Sequence, residues 1–85
     1  MNASGGPMTH EITLPRVGTN MEEATILRWM KGIGERFAQG EPLYEIETDK
    51  VTYEVEAPAS GQLLEIRVPD GENARVGQVV AVYGE

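Results

Sequence analysis

Short alternations of apolar and polar residues run along the chain from Met8 onward, and glycine and proline interrupt them repeatedly. A period of two is typical of strands that bury one face, and no apolar stripe with a 3.6-residue period is long enough for a helix. The pattern therefore predicts an all-β domain with tight connections at 32–40 and 70–77. The predicted strands are 10–14, 24–30, 43–48, 51–57, 62–68 and 79–83.

An internal repeat appears when the chain is shifted by 37 residues without gaps. The turn glycines then coincide, Gly34 with Gly71 and Gly40 with Gly77. Residues 14–47 and 51–84 are therefore interpreted as two copies of one β unit. Because one copy would leave its apolar face exposed, the two are expected to pack on each other about a pseudo-twofold axis. The predicted fold is a flattened barrel or sandwich of two antiparallel sheets, a barrel-sandwich hybrid.

A hairpin with Asp49 and Lys50 at its tip joins the two copies. This turn sets Ile46 opposite Tyr53, whereas a slip of one residue would oppose apolar and charged side chains. The turn lacks an Asn-Gly or Asp-Gly pair, so it is predicted to be type I-like, with the Asp49 carboxylate accepting nearby backbone N–H groups.

The repeat also predicts where the ends of the chain lie. The hairpin and the paired terminal strands occupy equivalent places in opposite halves, so they are expected at opposite ends of the domain. Leu14 and Tyr83 are accordingly predicted to lie far from Lys50. An exposed turn lysine is ordinarily only solvated. A single lysine presented opposite the termini instead suggests a carrier.

Composition narrows the classes of function. Eighty-five residues make one small domain, and the formal net charge of −7 argues against nucleic acid or an anionic membrane as a partner. The chain has no cysteine, so redox chemistry would require a prosthetic group. Residues 1–7 are small and polar and are interpreted as a disordered tail or a cloning remnant, which leaves 8–85 as the domain.

The hairpin sequence Glu47-Thr48-Asp49-Lys50-Val51, followed by Glu-Ala-Pro-Ala-Ser-Gly at 56–61, resembles a known family. It is similar to the lipoyl domains, in the biotinyl/lipoyl attachment family, of dihydrolipoamide acyltransferase components of 2-oxo acid dehydrogenase complexes. The resemblance covers residues 8–85. It implies that Lys50 carries lipoic acid in amide linkage. It also implies that Glu47, Asp49 and Val51 form the local signal read by a lipoate ligase or octanoyltransferase.

The resemblance implies a swinging-arm acyl carrier that is not itself an enzyme. In this family the lipoyl group accepts an acyl group from a thiamine-diphosphate dehydrogenase component, such as that of pyruvate dehydrogenase. It delivers the acyl group to coenzyme A at the acyltransferase core, and a flavin dihydrolipoyl dehydrogenase reoxidises it. Tethering raises the local concentration of the intermediate. The implied location is the bacterial cytoplasm or the mitochondrial matrix, and the isolated domain is expected to be monomeric.

Other classes stay open as alternatives. One is a biotin carboxyl carrier or a glycine-cleavage-type carrier, and another is an unmodified sandwich module of an adaptor protein. Biotin carriers place Met-Lys-Met at the hairpin, where this chain has Asp49, Lys50 and Val51. Lys31 follows a methionine but falls within the first copy, so it is interpreted as a surface lysine.

Three further residues are weighed as sites. His10 has no second ligand nearby in sequence, so a metal site is not expected. Ser60 precedes a glycine in a turn without a general base in its segment. Trp29 alternates with apolar neighbours and is predicted to pack in the core.

Acidic side chains concentrate around the hairpin, within sixteen residues. They are interpreted either as a solvated surface or as a negative face that steers docking onto basic partners. These residues are Glu41, Glu45, Glu47, Asp49, Glu54 and Glu56.

Overall fold

A computed structural model describes residues 8–85, which form two four-stranded antiparallel sheets and, within that range, no helix. The predicted all-β sandwich is thus confirmed. Residues 1–7, predicted to be a tail, lie outside the described residues. The strands are β1 (Thr9–Thr13), β2 (Glu23–Trp29), β3 (Arg36–Phe37), β4 (Pro42–Glu47), β5 (Thr52–Glu56), β6 (Gly61–Ile66), β7 (Asn73–Arg75) and β8 (Val79–Gly84).

The core lies between the two sheets. The first sheet has the strand order β1-β8-β6-β3 and the second has the order β5-β4-β2-β7. Central strands supply most of the largest buried side chains, each of which stabilises the fold by about 1.5–3 kcal/mol when it leaves water. These side chains are Tyr44, Leu14, Ile26, Leu43, Ile46, Leu63 and Val80.

The 37-residue repeat is confirmed by geometry as well as by sequence. Strands β2, β3 and β4 fall on β6, β7 and β8 at that spacing. Gly34 and Gly71 have φ values of 95° and 87°, a left-handed conformation that favours glycine. The Gly34 N–H donates to the carbonyl of Leu63 at 2.7 Å, and the Gly71 N–H donates to the carbonyl of Ile26 at 2.6 Å. The two acceptors are themselves 37 residues apart.

The two copies exchange short strands instead of packing as two separate units. The connections at 32–40 and 70–77 contain the short strands β3 and β7. Strand β3 of the first copy pairs with β6 of the second, and β7 of the second pairs with β2 of the first. Each sheet therefore contains strands from both copies, a detail that the repeat alone does not reveal. The sequence pattern did not predict the short strands, because each buries only one apolar residue, Phe37 in β3 and Ala74 in β7.

The strand registers locate the lysine hairpin and the chain ends. Ile46 lies opposite Tyr53, as predicted, and Glu47 lies opposite Thr52 next to the turn. At the other end of the sheets, Gly84 pairs with both Thr9 and Gln62. Lys50 and the described chain ends therefore lie at opposite ends of the domain, as predicted.

The prediction for Leu14 was wrong. Strand β1 begins at Thr9, beside Gly84, and spans five residues, about 16 Å of extended chain, toward the hairpin end. Leu14 follows that strand and bonds to Gln78 and Gly77. It therefore begins the segment that leads toward Lys50, whereas Tyr83 stays with the termini.

Trp29 and Tyr44 form the aromatic part of the packing. Their ring centroids are 4.5 Å apart, and the Trp29 indole N–H donates to the carbonyl of Val68 at 2.8 Å. Trp29 thus packs against the core, as predicted. The Tyr44 hydroxyl is fully buried and has no hydrogen-bond partner among the described residues. Burial raises the pKa of Tyr44 because the phenolate would lose its hydration.

Replacing Tyr44 by Phe is expected to leave stability at pH 7 unchanged or to raise it by up to about 1 kcal/mol, because an unpaired buried hydroxyl is removed. The raised folded-state pKa makes wild-type stability fall as the pH rises past about 10, the ordinary tyrosine value. The variant should lose less over that range. Urea unfolding between neutral and alkaline pH measures both effects. Tyr53→Phe, at an exposed tyrosine, is the control, and an equal alkaline loss in wild type and Tyr44→Phe would contradict the expectation.

Gly61→Ala is expected to destabilise the domain by about 1–3 kcal/mol, since a side chain is forced into a packed contact. A Cβ at Gly61 would lie 2.5 Å from the Gly84 carbonyl oxygen and 2.8 Å from the Tyr83 ring. Gly18→Ala is the matched control, because its Cβ would meet only Met21, at 3.9 Å. Equal urea midpoints for the two variants would show that β6 and β8 can move apart at no cost.

Candidate functional site

The site is the turn between β4 and β5, which presents Lys50. The Thr48 N–H donates to the carbonyl of Val51 at 2.9 Å and closes a turn with two central residues. All positive φ angles in the described chain belong to glycines. Asp49 and Lys50 therefore turn the chain with negative φ values, as the predicted type I-like turn requires.

Thr48 makes the side-chain hydrogen bonds of this turn, a role that the sequence analysis gave to Asp49. Its hydroxyl oxygen accepts from the backbone N–H groups of Lys50 at 3.3 Å and Val51 at 3.2 Å. The same hydroxyl lies 3.2 Å from the Val51 carbonyl, to which it can donate. The available signal was a threonine just before a turn, since its hydroxyl can bond backbone groups two or three residues later.

The two lysines have different surroundings. Lys50 is exposed at the tip, and no ion pair is found for it within residues 8–85. Lys31 Nζ lies 3.1 Å from a carboxylate oxygen of Glu41, and its side chain is only 24% exposed. The pKa of Glu41 is lowered, first by the Ala38 backbone N–H and then by Lys31. Lys31 is therefore held at the surface as an ion pair, whereas Lys50 is presented to solvent.

A groove of about 940 Å³ runs beside Lys50, between the hairpin and the segment 17–25. The predicted recognition residues Glu47, Asp49 and Val51 all line it, so the structure brings them together with the lysine. The position of residues 17–25 beside the hairpin was not predicted, because the two segments are distant in sequence and no pattern pairs them.

The acidic residues do not form one face around the lysine. Glu45 lies opposite Glu54, and Arg28 Nε lies 3.4 Å from a carboxylate oxygen of Glu45, whose charge it partly neutralises. Glu56 lies opposite Pro42, at the far end of the hairpin. Of the six acidic residues, only Glu47 and Asp49 line the groove, where Glu22 and Glu23 join them. The negative rim thus comes from two separate segments.

The other weighed residues have structural partners. His10 Nε2 lies 2.7 Å from a carboxylate oxygen of Glu85, and its ring stacks on Tyr83 at 5.1 Å. The Ser60 hydroxyl accepts from the Gln39 N–H at 3.1 Å. Residues 8–85 contain no cluster of three or more potential metal ligands. In the same range no helix is long and apolar enough to cross a membrane.

The chain is similar to known proteins over most of its length. Residues 10–83 match the family model Biotin_lipoyl, described as "Biotin-requiring enzyme". A dihydrolipoyllysine-residue succinyltransferase component of the 2-oxoglutarate dehydrogenase complex from Bartonella vinsonii is 45% identical over 73 residues, which is 86% of this chain and 18% of that protein. A dihydrolipoyllysine-residue acetyltransferase component of the pyruvate dehydrogenase complex from Corynebacterium glutamicum is 36% identical over 78 residues, which is 92% of this chain and 12% of that protein. The chain therefore spans less than a fifth of the length of these two relatives.

A solved structure matches at the level of the single domain. The lipoyl domain of the 2-oxoglutarate dehydrogenase complex from Azotobacter vinelandii, determined in solution, is 32% identical. The match covers 88% of this chain and 95% of that one, with a TM-score of 0.72. The chain belongs to the biotin/lipoyl attachment family and is a lipoyl domain of the kind found in acyltransferase components of 2-oxo acid dehydrogenase complexes.

Proposed function

We propose that Lys50 is the attachment site for lipoic acid, in amide linkage, and that the domain works as a swinging-arm acyl carrier. The observation that carries this proposal is the contrast between the two lysines. Lys50 stands exposed at the tip of the hairpin, whereas Lys31 is held by Glu41. Covalent attachment needs an accessible amine with room around it, and Lys50 meets that requirement on the open edge of a groove.

A carrier needs a mobile side chain and a fixed surface around it, and different residues of this chain supply the two. When attached, the lipoyl group supplies the dithiolane chemistry that takes up and releases acyl groups. Lys50 supplies a four-carbon stem that extends the reach of the arm. Glu47 at the end of β4, and Asp49 and Val51 in the turn, lie close to the stem, where a lipoate ligase or octanoyltransferase would read them. The sandwich behind them holds that surface in one shape.

The partners follow from the relatives as proposals. Their names place them in 2-oxo acid dehydrogenase complexes, so the arm would visit a thiamine-diphosphate dehydrogenase component, an acyltransferase core and a flavin dihydrolipoyl dehydrogenase. The domain itself is non-catalytic in this proposal, because each transfer takes place in the active site of a partner. Tethering raises the effective concentration of the carried group at those sites to the millimolar range. The bacterial cytoplasm or the mitochondrial matrix is the proposed location.

Lys50→Arg is expected to abolish lipoylation, because arginine keeps the positive charge but offers no amine for the amide bond. Lys31→Arg is the matched control and should be labelled like the wild type. Intact mass, measured after incubation with a lipoate ligase, ATP and lipoic acid, reports one lipoyl adduct or none. A lipoyl adduct on the Lys50→Arg protein would overturn the attachment site, and a biotinyl adduct formed with a biotin ligase would support the biotin-carrier alternative.

Replacing both Asp49 and Val51 by Met is expected to shift labelling from the lipoate ligase toward a biotin ligase, since the turn then reads Met-Lys-Met. The fold should persist because both positions are exposed. Relative labelling rates for the two ligases are the measurement. A double replacement of Glu54 and Glu56 by Met, exposed on the same hairpin but away from the tip, is the control. Unchanged lipoylation without biotinylation would mean that the ligases read a wider surface.

A further inference from the structure

We propose that Thr48 is the positioning residue for the modification of Lys50. Its hydroxyl holds the hairpin turn in the conformation that presents the lysine to a lipoylating enzyme. The inference rests on the proposed attachment at Lys50 and adds a residue that lies outside the predicted recognition signal of Glu47, Asp49 and Val51.

One hydroxyl group serves three backbone groups in this turn. It accepts from the N–H groups of Lys50 and Val51 and lies within donating distance of the Val51 carbonyl. The two accepted bonds, 3.3 Å and 3.2 Å long, are individually weak. Together they tie both sides of the lysine Cα to the end of β4.

The turn needs this support because little else orders it. The paired residues of β4 and β5 end at Glu47 and Thr52, and the Thr48–Val51 backbone bond extends the ladder by one step. Asp49, Lys50 and Val51 are all exposed, whereas Thr48 is half-buried. The turn also has no proline to restrict its backbone. Thr48 is therefore the one packed residue of the four, and its branched Cβ limits the rotation of the hydroxyl.

Loss of the hydroxyl should spread the turn over several conformations while the sheets stay intact. An enzyme that accepts only one of these conformations then meets a smaller competent fraction, and its apparent affinity falls by that fraction. Once bound, the lysine is placed as before. The expected signature is a higher KM for the domain with an unchanged kcat. Because a partly unfolded domain would give the same split, the folded fraction of each variant is measured separately.

Thr48→Val, which keeps the shape and removes the hydroxyl, is the test variant, and Thr48→Ser restores the hydroxyl without the methyl group. Thr52→Val is the matched control, the same change at an exposed strand position on the same hairpin. Lipoate ligase kinetics measure KM and kcat for each domain. Amide–water exchange, followed by NMR, reports on the Lys50 and Val51 N–H groups. Urea unfolding verifies that each variant is folded.

Thr48→Val is expected to raise KM about 3- to 10-fold, the loss that follows from removing one or two weak hydrogen bonds. It should also speed exchange at the Lys50 and Val51 amides. Thr48→Ser should recover most of both effects, and Thr52→Val should show neither. The proposal would be overturned by any one of three results. Thr48→Val could show the wild-type KM, or Thr48→Val and Thr48→Ser could show an equal rise in KM. The third such result is a Thr48→Val variant in which only kcat falls. None of these outcomes affects the attachment site, which fails only if Lys50→Arg is still lipoylated.

Discussion

The fold depends on two glycine turns through which each half of the chain reaches into the other. The N–H groups of Gly34 and Gly71 donate to the carbonyl groups of Leu63 and Ile26, each in the other copy. Each turn then leads into a short strand that pairs with a strand of the other copy. A left-handed residue is required at both turns, and glycine adopts that conformation without steric cost. Because neither half has a complete sheet alone, the core can form only when both halves are present.

This exchange explains why a small, cysteine-free domain can hold a hairpin steady. The lysine hairpin begins with β4, whose residues Leu43, Tyr44 and Ile46 are all fully buried. Movement of the hairpin base would therefore disturb the centre of the core. The termini meet at the other end, where Gly84 pairs with Thr9. A chain that continues beyond either terminus would leave the domain away from Lys50, so the arm can enter a deep site without carrying its tether there.

Lys50 has a hydrogen-bonded backbone and a side chain that is open to solvent. The Thr48 hydroxyl accepts hydrogen bonds from the backbone of the turn, while the side chain of Lys50 is left in solvent. The groove beside it has an acidic rim that draws on two segments, with Glu47 and Asp49 from the hairpin and Glu22 and Glu23 from the segment 17–25. A partner that binds at Lys50 would also come close to this rim. Such charges influence the rate and selectivity of encounter more than they add to affinity.

Much of the site is readable from sequence because its signals are local or periodic. The alternation of Ile46 and Tyr53 about the turn leaves only one register, so the position of Lys50 at the tip follows from the pattern. The repeated glycines likewise reveal two related halves before any coordinates are known. The role of Thr48 was missed because aspartate and threonine can both bond a turn backbone, and only atomic geometry distinguishes them.

The sequence by itself determined the strand alternation, the pairing within the lysine hairpin and the repeat, because each depends on residues close together or at one fixed spacing. Tertiary structure decided which copy each short strand joins, since β3 and β7 bury a single apolar residue each and carry too weak a pattern to assign. It also decided that Lys31 is paired with Glu41 and that residues 17–25 lie beside Lys50. Such contacts join segments far apart in the chain, and they exist only after the two halves have exchanged strands and packed around one core.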